Sequence, residues 1–408
     1  MENHAPESEQ RVTPLELFFD LVFVFAITQV TSMLAADPTW SGLLRGMLVL
    51  GALWWAWGAY AWLTNTLDSQ EGMVRIAMFA AMAAMLIVAL AVPEAFDQHG
   101  VIFAVAYVAV RGMHVALYAL AGKGDPDLLA AVLRFTTSSA ISGALLVTAG
   151  FLDGDPRVAL WIVALAIDYL GVLRGRGAGW RVYPGHFAER HGLIIIIAVG
   201  ESIVALGVGA TTDLNAGVIA AALVGITIAA ALWWTYFDWV SIVAEQQLRR
   251  ATGVAQSTLA RDLYTYLHFP MVAGIVLFAL SLKKTLEDYG EPLKAVPAAA
   301  LCGGLALYLL AHVLHRLRIA RTFGQFGLLN SIGRGRPSAF VLLLALWPLA
   351  HMIPALATLG AVAAVFILLV AYEAIRYREP RAQIRGGAVA TVESMGAPRA
   401  ASGRTESS

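Results

Sequence analysis

Residues 13–34, TPLELFFDLVFVFAITQVTSML, hold two charged side chains, Glu16 and Asp20, in a run otherwise made of apolar and small polar residues. Such a run has the length of roughly 20 residues that an α-helix needs to cross a hydrocarbon core about 30 Å thick. Backbone polar groups in lipid must be satisfied within the segment itself, so an uninterrupted run of this kind is a helix. Eleven more runs follow, at about 43–63, 73–92, 100–121, 129–150, 157–173, 190–210, 216–238, 263–282, 295–315, 338–354 and 355–375. The pattern predicts an all-α fold, a polytopic transmembrane helical bundle of about 12 helices. Pro348 and Pro354 interrupt the last pair, which reads either as two short spans or as one span with a kinked, re-entrant piece.

Composition agrees. Of the 408 residues, 59% are hydrophobic and 14% charged, whereas a soluble domain carries about 25% charged residues. The chain therefore exposes apolar surface to something other than water, and its partner is the lipid bilayer. The formal net charge is zero, which gives no reason to expect nucleic acid. Cys302 is the one cysteine, so neither a disulfide framework nor a cysteine-based metal site can be built.

The distribution of Lys and Arg sets the orientation. With the N-terminus inside, the cytoplasmic segments collect 22 of the 28 basic residues and the outer loops five, Arg111 lying within a span. This reading places both termini in the cytoplasm of a multi-pass plasma-membrane protein. It divides the chain into a cytoplasmic segment 1–14, a first six-helix half 15–173, a cytoplasmic linker 174–189, a second six-helix half 190–376 and a disordered cytoplasmic tail 377–408.

The halves carry traces of a 6+6 internal duplication. Glu16 opens the first run and Glu189 precedes the seventh, an offset of 173. Ala52-Leu53-Trp54-Trp55 recurs as Ala231-Leu232-Trp233-Trp234, an offset of 179. Asp168-Tyr169 in the sixth run and Tyr372-Glu373 in the twelfth lie at similar depth.

Two blocks carry a family resemblance. Thr13-Pro14-Leu15-Glu16-Leu17-Phe18-Phe19-Asp20-Leu21-Val22-Phe23-Val24-Phe25-Ala26-Ile27 is the first. The second is His186-Phe187-Ala188-Glu189-Arg190-His191-Gly192-Leu193, continuing through Gly200-Glu201-Ser202-Ile203. Both resemble the bacterial low temperature requirement A (LtrA) family, over nearly the whole chain up to the tail. Acidic residues inside such apolar stretches are rarely matched by accident. The resemblance implies a membrane protein of that fold. The family name records a cold-growth phenotype and not a reaction, so the activity is left open.

An ionisable side chain at mid-membrane costs about 2.5–3.5 kcal/mol on insertion scales, so each one needs a reason. Glu201 lies eleven residues into the seventh run, between the small residues Gly200 and Ser202, close to the midplane. Glu16 and Asp20, four apart, share a helix face. The repeat places Thr28-Gln29 opposite Glu201-Ser202. Arg111 and His114 share a face in the fourth run, with Asp20 or Glu201 as the expected acidic partner; a static ion pair and a substrate-binding role stay open. Glu201, Asp20, Arg111, Gln29, Ser202 and His114 are thus the candidate substrate- or ion-binding residues. Glu16, Glu189 and His191 form a candidate cytoplasmic gate, the histidine because it titrates near neutral pH. An interfacial anchor is the plainer reading of that cluster.

His312 and His315 have a spacing that could present two imidazoles to one metal, but structural and catalytic sites need three or four ligands, so no metal is expected. His268 and His351 read as satisfied core histidines. The tryptophans at 54–62 and 233–239 read mainly as interfacial aromatic belts. Residues 171–179 lack the Gly-Lys-Ser/Thr ending of a phosphate loop, and no haem, nucleotide or hydrolase signature is present, so no cofactor is implied. These features favour a secondary transporter or ion-conducting protein with an intramembrane carboxylate that binds a proton or cation. The alternative is an intramembrane enzyme acting on a lipid or isoprenoid, with Asp20 and Glu201 as acid and base and Trp54, Trp57 and Trp234 stabilising a carbocation. A purely structural or sensory role for the buried charges is a third reading.

Overall fold

The computed structural model describes residues 11–67, 72–173, 180–209, 214–323 and 334–378. Most of the tail expected at 377–408, and the Gly- and Arg-rich start of the linker, lie outside the described residues. Among the described residues the chain forms twelve helices and no strand. These are α1 (Pro14–Ala36), α2 (Trp40–Thr66), α3 (Gly72–Ala91), α4 (Gly100–Ala121), α5 (Pro126–Gly150), α6 (Gly154–Leu173), α7 (Pro184–Gly209), α8 (Ala216–Arg250), α9 (Gly253–Glu287), α10 (Ala295–Phe323), α11 (Gly335–Leu349) and α12 (Ala355–Arg376). Eleven are long and apolar enough to cross a bilayer. The protein is a polytopic helical membrane protein.

Helix ends follow local chemistry. Thr13 caps α1 in a capping box with Glu16, and Pro14 occupies the first helical position, where a missing N–H costs nothing. Asp125 and Asn215 cap α5 and α8 through their side-chain oxygens. Helices α8 and α9 are each 35 residues long, about 52 Å at 1.5 Å per residue. They therefore extend well past a bilayer core and meet in a tight corner, where Gly253 takes a φ of +56°. Hydropathy ends the eighth span at 238 and begins the ninth at 263. The structure carries both helices through the polar residues between, each with a π-helical segment, Tyr236–Val240 and Arg261–Tyr266. A second small core, containing Val182, Phe187, Leu248, Leu259 and Tyr264, supports that extension.

The last pair resolves into a short helix and a full span. Helix α11 has 15 residues, about 22 Å of rise. Pro348 closes its final turn, and Pro354 precedes α12. The first free N–H groups of α12 are satisfied by loop carbonyls, Ala355 N to Glu291 O at 2.9 Å and Leu356 N to Tyr289 O at 3.1 Å.

Packing places α2 and α9 at the centre: 78% of the apolar window of each is buried, against 28% for α6. Helices α9 and α10 cross closely at Gly274 and Gly304, where a Cβ on Gly274 would overlap the Gly304 carbonyl. In the first half α1 packs on α2 and α3, and α3–α4, α4–α5, α5–α6 and α2–α6 are neighbours. The same relations recur six helices later, as α7 on α8 and α9, then α9–α10, α10–α11, α11–α12 and α8–α12. The halves meet where α1 and α2 touch α7 and α9. Leu17, Phe18 and Leu21 of α1 and Met73, Ile76 and Leu90 of α3 are among the large apolar side chains turned outward, as lipid-facing residues are.

Candidate functional site

The meeting of α1, α2 and α7 encloses a buried acid–base cluster. Arg190 is fully buried and holds two carboxylates at once, Glu16 Oε1 through Nη1 at 3.0 Å and Asp20 Oδ1 through Nη2 at 2.7 Å. Glu16 also accepts from the Thr13 backbone N–H at 2.8 Å and from His186 Nε2 at 3.0 Å. Trp57 Nε1 donates to Asp20 Oδ1 at 2.9 Å, and Thr64 Oγ1 accepts from Arg190 at 3.1 Å. Asp20 Oδ2 is buried and meets no donor.

The His186 tautomer follows from its neighbours. Asn65 Oδ1 accepts from the Tyr183 N–H at 2.8 Å, and Asn65 Nδ2 donates to the Tyr183 carbonyl at 3.1 Å. The amide is thereby oriented, so the Nδ2 that lies 3.1 Å from His186 Nδ1 is a donor there too. The imidazole accepts at Nδ1, donates from Nε2 and is neutral. Among the described residues the cluster thus balances two carboxylates against one guanidinium. Buried charge of one sign in excess is expensive.

Deeper along the same seam, Glu201 of α7 is buried and its Oε2 accepts from Thr28 Oγ1 of α1 at 2.6 Å. The two residues are the ones that the offset of 173 places at equivalent positions of the two halves. Asp20 and Thr28 are eight residues apart on α1, about 12 Å along the axis. Ser202 is buried but donates to the Val199 carbonyl of its own helix. Gln29 is half-buried on α1. Of the three gate candidates only Glu189 is exposed, and it accepts from the Val12 N–H. Glu16 is inside the cluster, and His191 is enclosed by Trp57, Phe187, Tyr264 and His268.

Arg111 does not meet Asp20 or Glu201, because Arg190 already occupies Asp20 and α4 packs against α3 and α5 rather than α7. It donates instead to Ser139 Oγ of α5 at 2.8 Å and reaches Asp168 Oδ1 of α6 at 3.5 Å, with Phe135 stacked 4.8 Å from its Cζ. His114, one turn on, packs between Tyr60, Tyr118 and Phe135. The second half has a counterpart: Glu373 of α12 lies 3.7 Å from Arg316 of α10 and 2.7 Å from Arg336 of α11. Arg336 also donates to His312 Nδ1 at 2.9 Å. His268 is satisfied on both nitrogens, by Tyr236 Oη and the Leu263 carbonyl.

The tryptophans of α2 are not an interfacial belt. Trp54, Trp55 and Trp57 are buried, and Trp54 and Trp62 donate to Thr265 of α9. Trp233 and Trp234 are exposed on α8, as a belt requires.

A model of the family described as "Bacterial low temperature requirement A protein (LtrA)" matches residues 11–371. The chain belongs to the LtrA family. It is 36% identical over 278 residues to the uncharacterized protein RA0937 of Rhizobium meliloti (strain 1021), covering 65% of this chain and 67% of that one. No solved structure matches. Both sequence blocks that carry the LtrA resemblance converge on one place: Glu16 and Asp20 come from the first, His186 and Arg190 from the second. Sequence reasoning named the two acids of this LtrA protein and missed the base. A seventh span that begins at 190 leaves Arg190 among the loop cations, whereas the helix begins at Pro184. The signal was there: positions 186 and 190 are one turn apart and share a face.

Proposed function

We propose that this LtrA protein is a plasma-membrane secondary transporter or ion-conducting protein, with both termini cytoplasmic. Its proton or cation pathway runs along the seam of α1 and α7. The observation that carries the reading is the charge balance of the buried cluster, two carboxylates to one guanidinium and a neutral imidazole, with Asp20 Oδ2 left without a donor. A proton or small cation taken up at Asp20 neutralises the cluster. Glu201, about two turns deeper on the facing helix, is the next carboxylate such an ion meets. The first helix of each half lines this route, and the recurrence of helix neighbours after six is what a duplicated half produces. A pathway between repeats suits alternating access. Arg190, rather than Arg111, is the counter-charge.

The test is ion flux into liposomes carrying the purified protein, under proton, sodium and potassium gradients in turn. Protein-dependent flux is expected in the wild type and is lost in Asp20→Asn and Glu201→Gln variants that remain monodisperse. No flux under any of the three gradients would sink the ion-pathway reading.

The alternative, an enzyme acting on a lipid or isoprenoid, draws support from an aromatic cavity that Trp55, Trp62, Trp180 and Phe135 help to line. It loses support at the residues first assigned to it. Trp234 is exposed on α8, and Trp57 is committed to Asp20.

A further inference from the structure

The cavity between α2, α4, α5 and the start of α9 has no part in the ion pathway, yet its lining is chemically pronounced. It encloses about 590 Å³ including its open mouth, and its walls include Trp55, Arg111, His114, Phe135, Trp180 and Arg261. Two guanidinium groups line it, and among the described residues no carboxylate does. Asp168 and Asp262 lie behind, each engaged by the Nη2 of its arginine. The Nη1 atoms of Arg111 and Arg261 are buried and meet no acceptor among the described residues. Arg111 is 4% exposed and His114 2%. Unsatisfied donors of this kind are costly, and guanidinium geometry matches carboxylate and phosphate oxygens.

A larger groove of about 1400 Å³, open to the outside, runs between α5 and α6 along Ile141, Ile162, Val163 and Leu170. It shares Phe135, Val172 and Trp180 with the inner cavity. Its walls are mostly apolar, with Arg134, Thr137 and Ser138 the polar side chains among them, and belong to helices that face lipid, so the path from groove to cavity leads from hydrocarbon to buried cations.

We propose that the joined cavities bind an anionic amphiphile drawn from the membrane. Its carboxylate or phosphate head lies against Arg111 and Arg261, and its acyl or isoprenoid chain lies along the α5–α6 groove. The inference is independent of ion flux, since none of the seam residues lines either cavity.

Tryptophan fluorescence reads it directly, because Trp55, Trp62 and Trp180 line the inner cavity. Purified protein in a neutral detergent is titrated with a brominated fatty acid, a brominated fatty alcohol of equal length and a brominated phosphatidylcholine. Dodecyl phosphate and inorganic phosphate serve as competitors. Saturable quenching by the fatty acid is expected, displaced by dodecyl phosphate. Affinity should fall at least tenfold in Arg261→Gln, a substitution that leaves Asp262 paired with Arg318 at 2.7 Å. Arg111→Lys, which keeps the charge that Asp168 faces, should weaken binding less than Arg111→Gln. Trp180→Phe should lower the quenching amplitude without changing affinity. Equal quenching by the alcohol or by phosphatidylcholine would overturn the proposal. So would unchanged affinity in Arg261→Gln, and so would inorganic phosphate competing as well as dodecyl phosphate, which would assign the head site to a soluble anion.

Discussion

Arg190 serves two carboxylates with separate nitrogens, and this division decides how each member responds to substitution. Replacing it by Gln leaves Glu16 and Asp20 facing one another with only a neutral imidazole nearby. Breaking a buried pair in that way costs about 3–5 kcal/mol, so Arg190→Gln is expected to lower the unfolding temperature sharply in detergent. Asp20→Asn removes the excess negative charge while its Oδ1 still accepts from Arg190 and Trp57. That variant should unfold within about 1 kcal/mol of the wild type, and Arg190→Gln/Asp20→Asn should recover part of the single loss. A destabilised Asp20→Asn would mean that the cluster is balanced by something other than these side chains. The sequence made the acids legible, because a charge in an apolar run demands a reason and a spacing of four fixes a shared face. The repeat singled out Thr28 and Glu201 as equivalent positions, but that they touch is visible only in the structure. Partner choice was not legible: Arg111 was nearest in hydropathy depth, but depth does not say which helices are neighbours.

Close crossing of α9 and α10 depends on an element-level feature, two glycines facing one another. Gly274→Ala places a methyl group on the Gly304 carbonyl, a backbone atom that cannot yield without separating the helices. Gly303, one residue along, has open space where a methyl group would stand, and there the same change gains helix propensity of up to about 1 kcal/mol. Gly274→Ala is therefore expected to lower thermal stability in detergent, by about 1–3 kcal/mol as overpacking does, and Gly303→Ala to leave it unchanged or raised. Equal behaviour of the two would show that α9 and α10 are not held by this contact. Helix existence was read almost completely from hydropathy, and helix ends were not. Hydropathy locates lipid, whereas α8 and α9 continue through polar residues outside it, held by the small core around Tyr264. The same limit hid His186 and Arg190, which lie in the first two turns of α7.

At the scale of the whole molecule, the ends of three helices decide which side the chain finishes on. Helix α11 is shorter than a bilayer core, so its length alone does not carry the chain across. The arginine–glutamate cluster settles which ends meet. Arg316 near the end of α10, Arg336 at the start of α11 and Glu373 near the end of α12 come together. Helices α11 and α12 thus form a hairpin that returns to the face where α10 ends. By alternation this is the face where α1 begins, which the proposed orientation, argued from the excess of Lys and Arg, makes the cytoplasmic one. Cys302 is fully buried, so introduced cysteines can be labelled against a low background. In intact cells a membrane-impermeant maleimide should label Asp153→Cys, whose side chain is 97% exposed in the α5–α6 connection. Lys123→Cys and Arg378→Cys should label only after permeabilisation. Labelling of Lys123→Cys and Arg378→Cys from outside, with Asp153→Cys protected, would invert the whole bundle and with it the direction of any flux. Opposite behaviour of Lys123→Cys and Arg378→Cys would instead separate the ends that Glu373 joins, and would overturn the hairpin of α11 and α12.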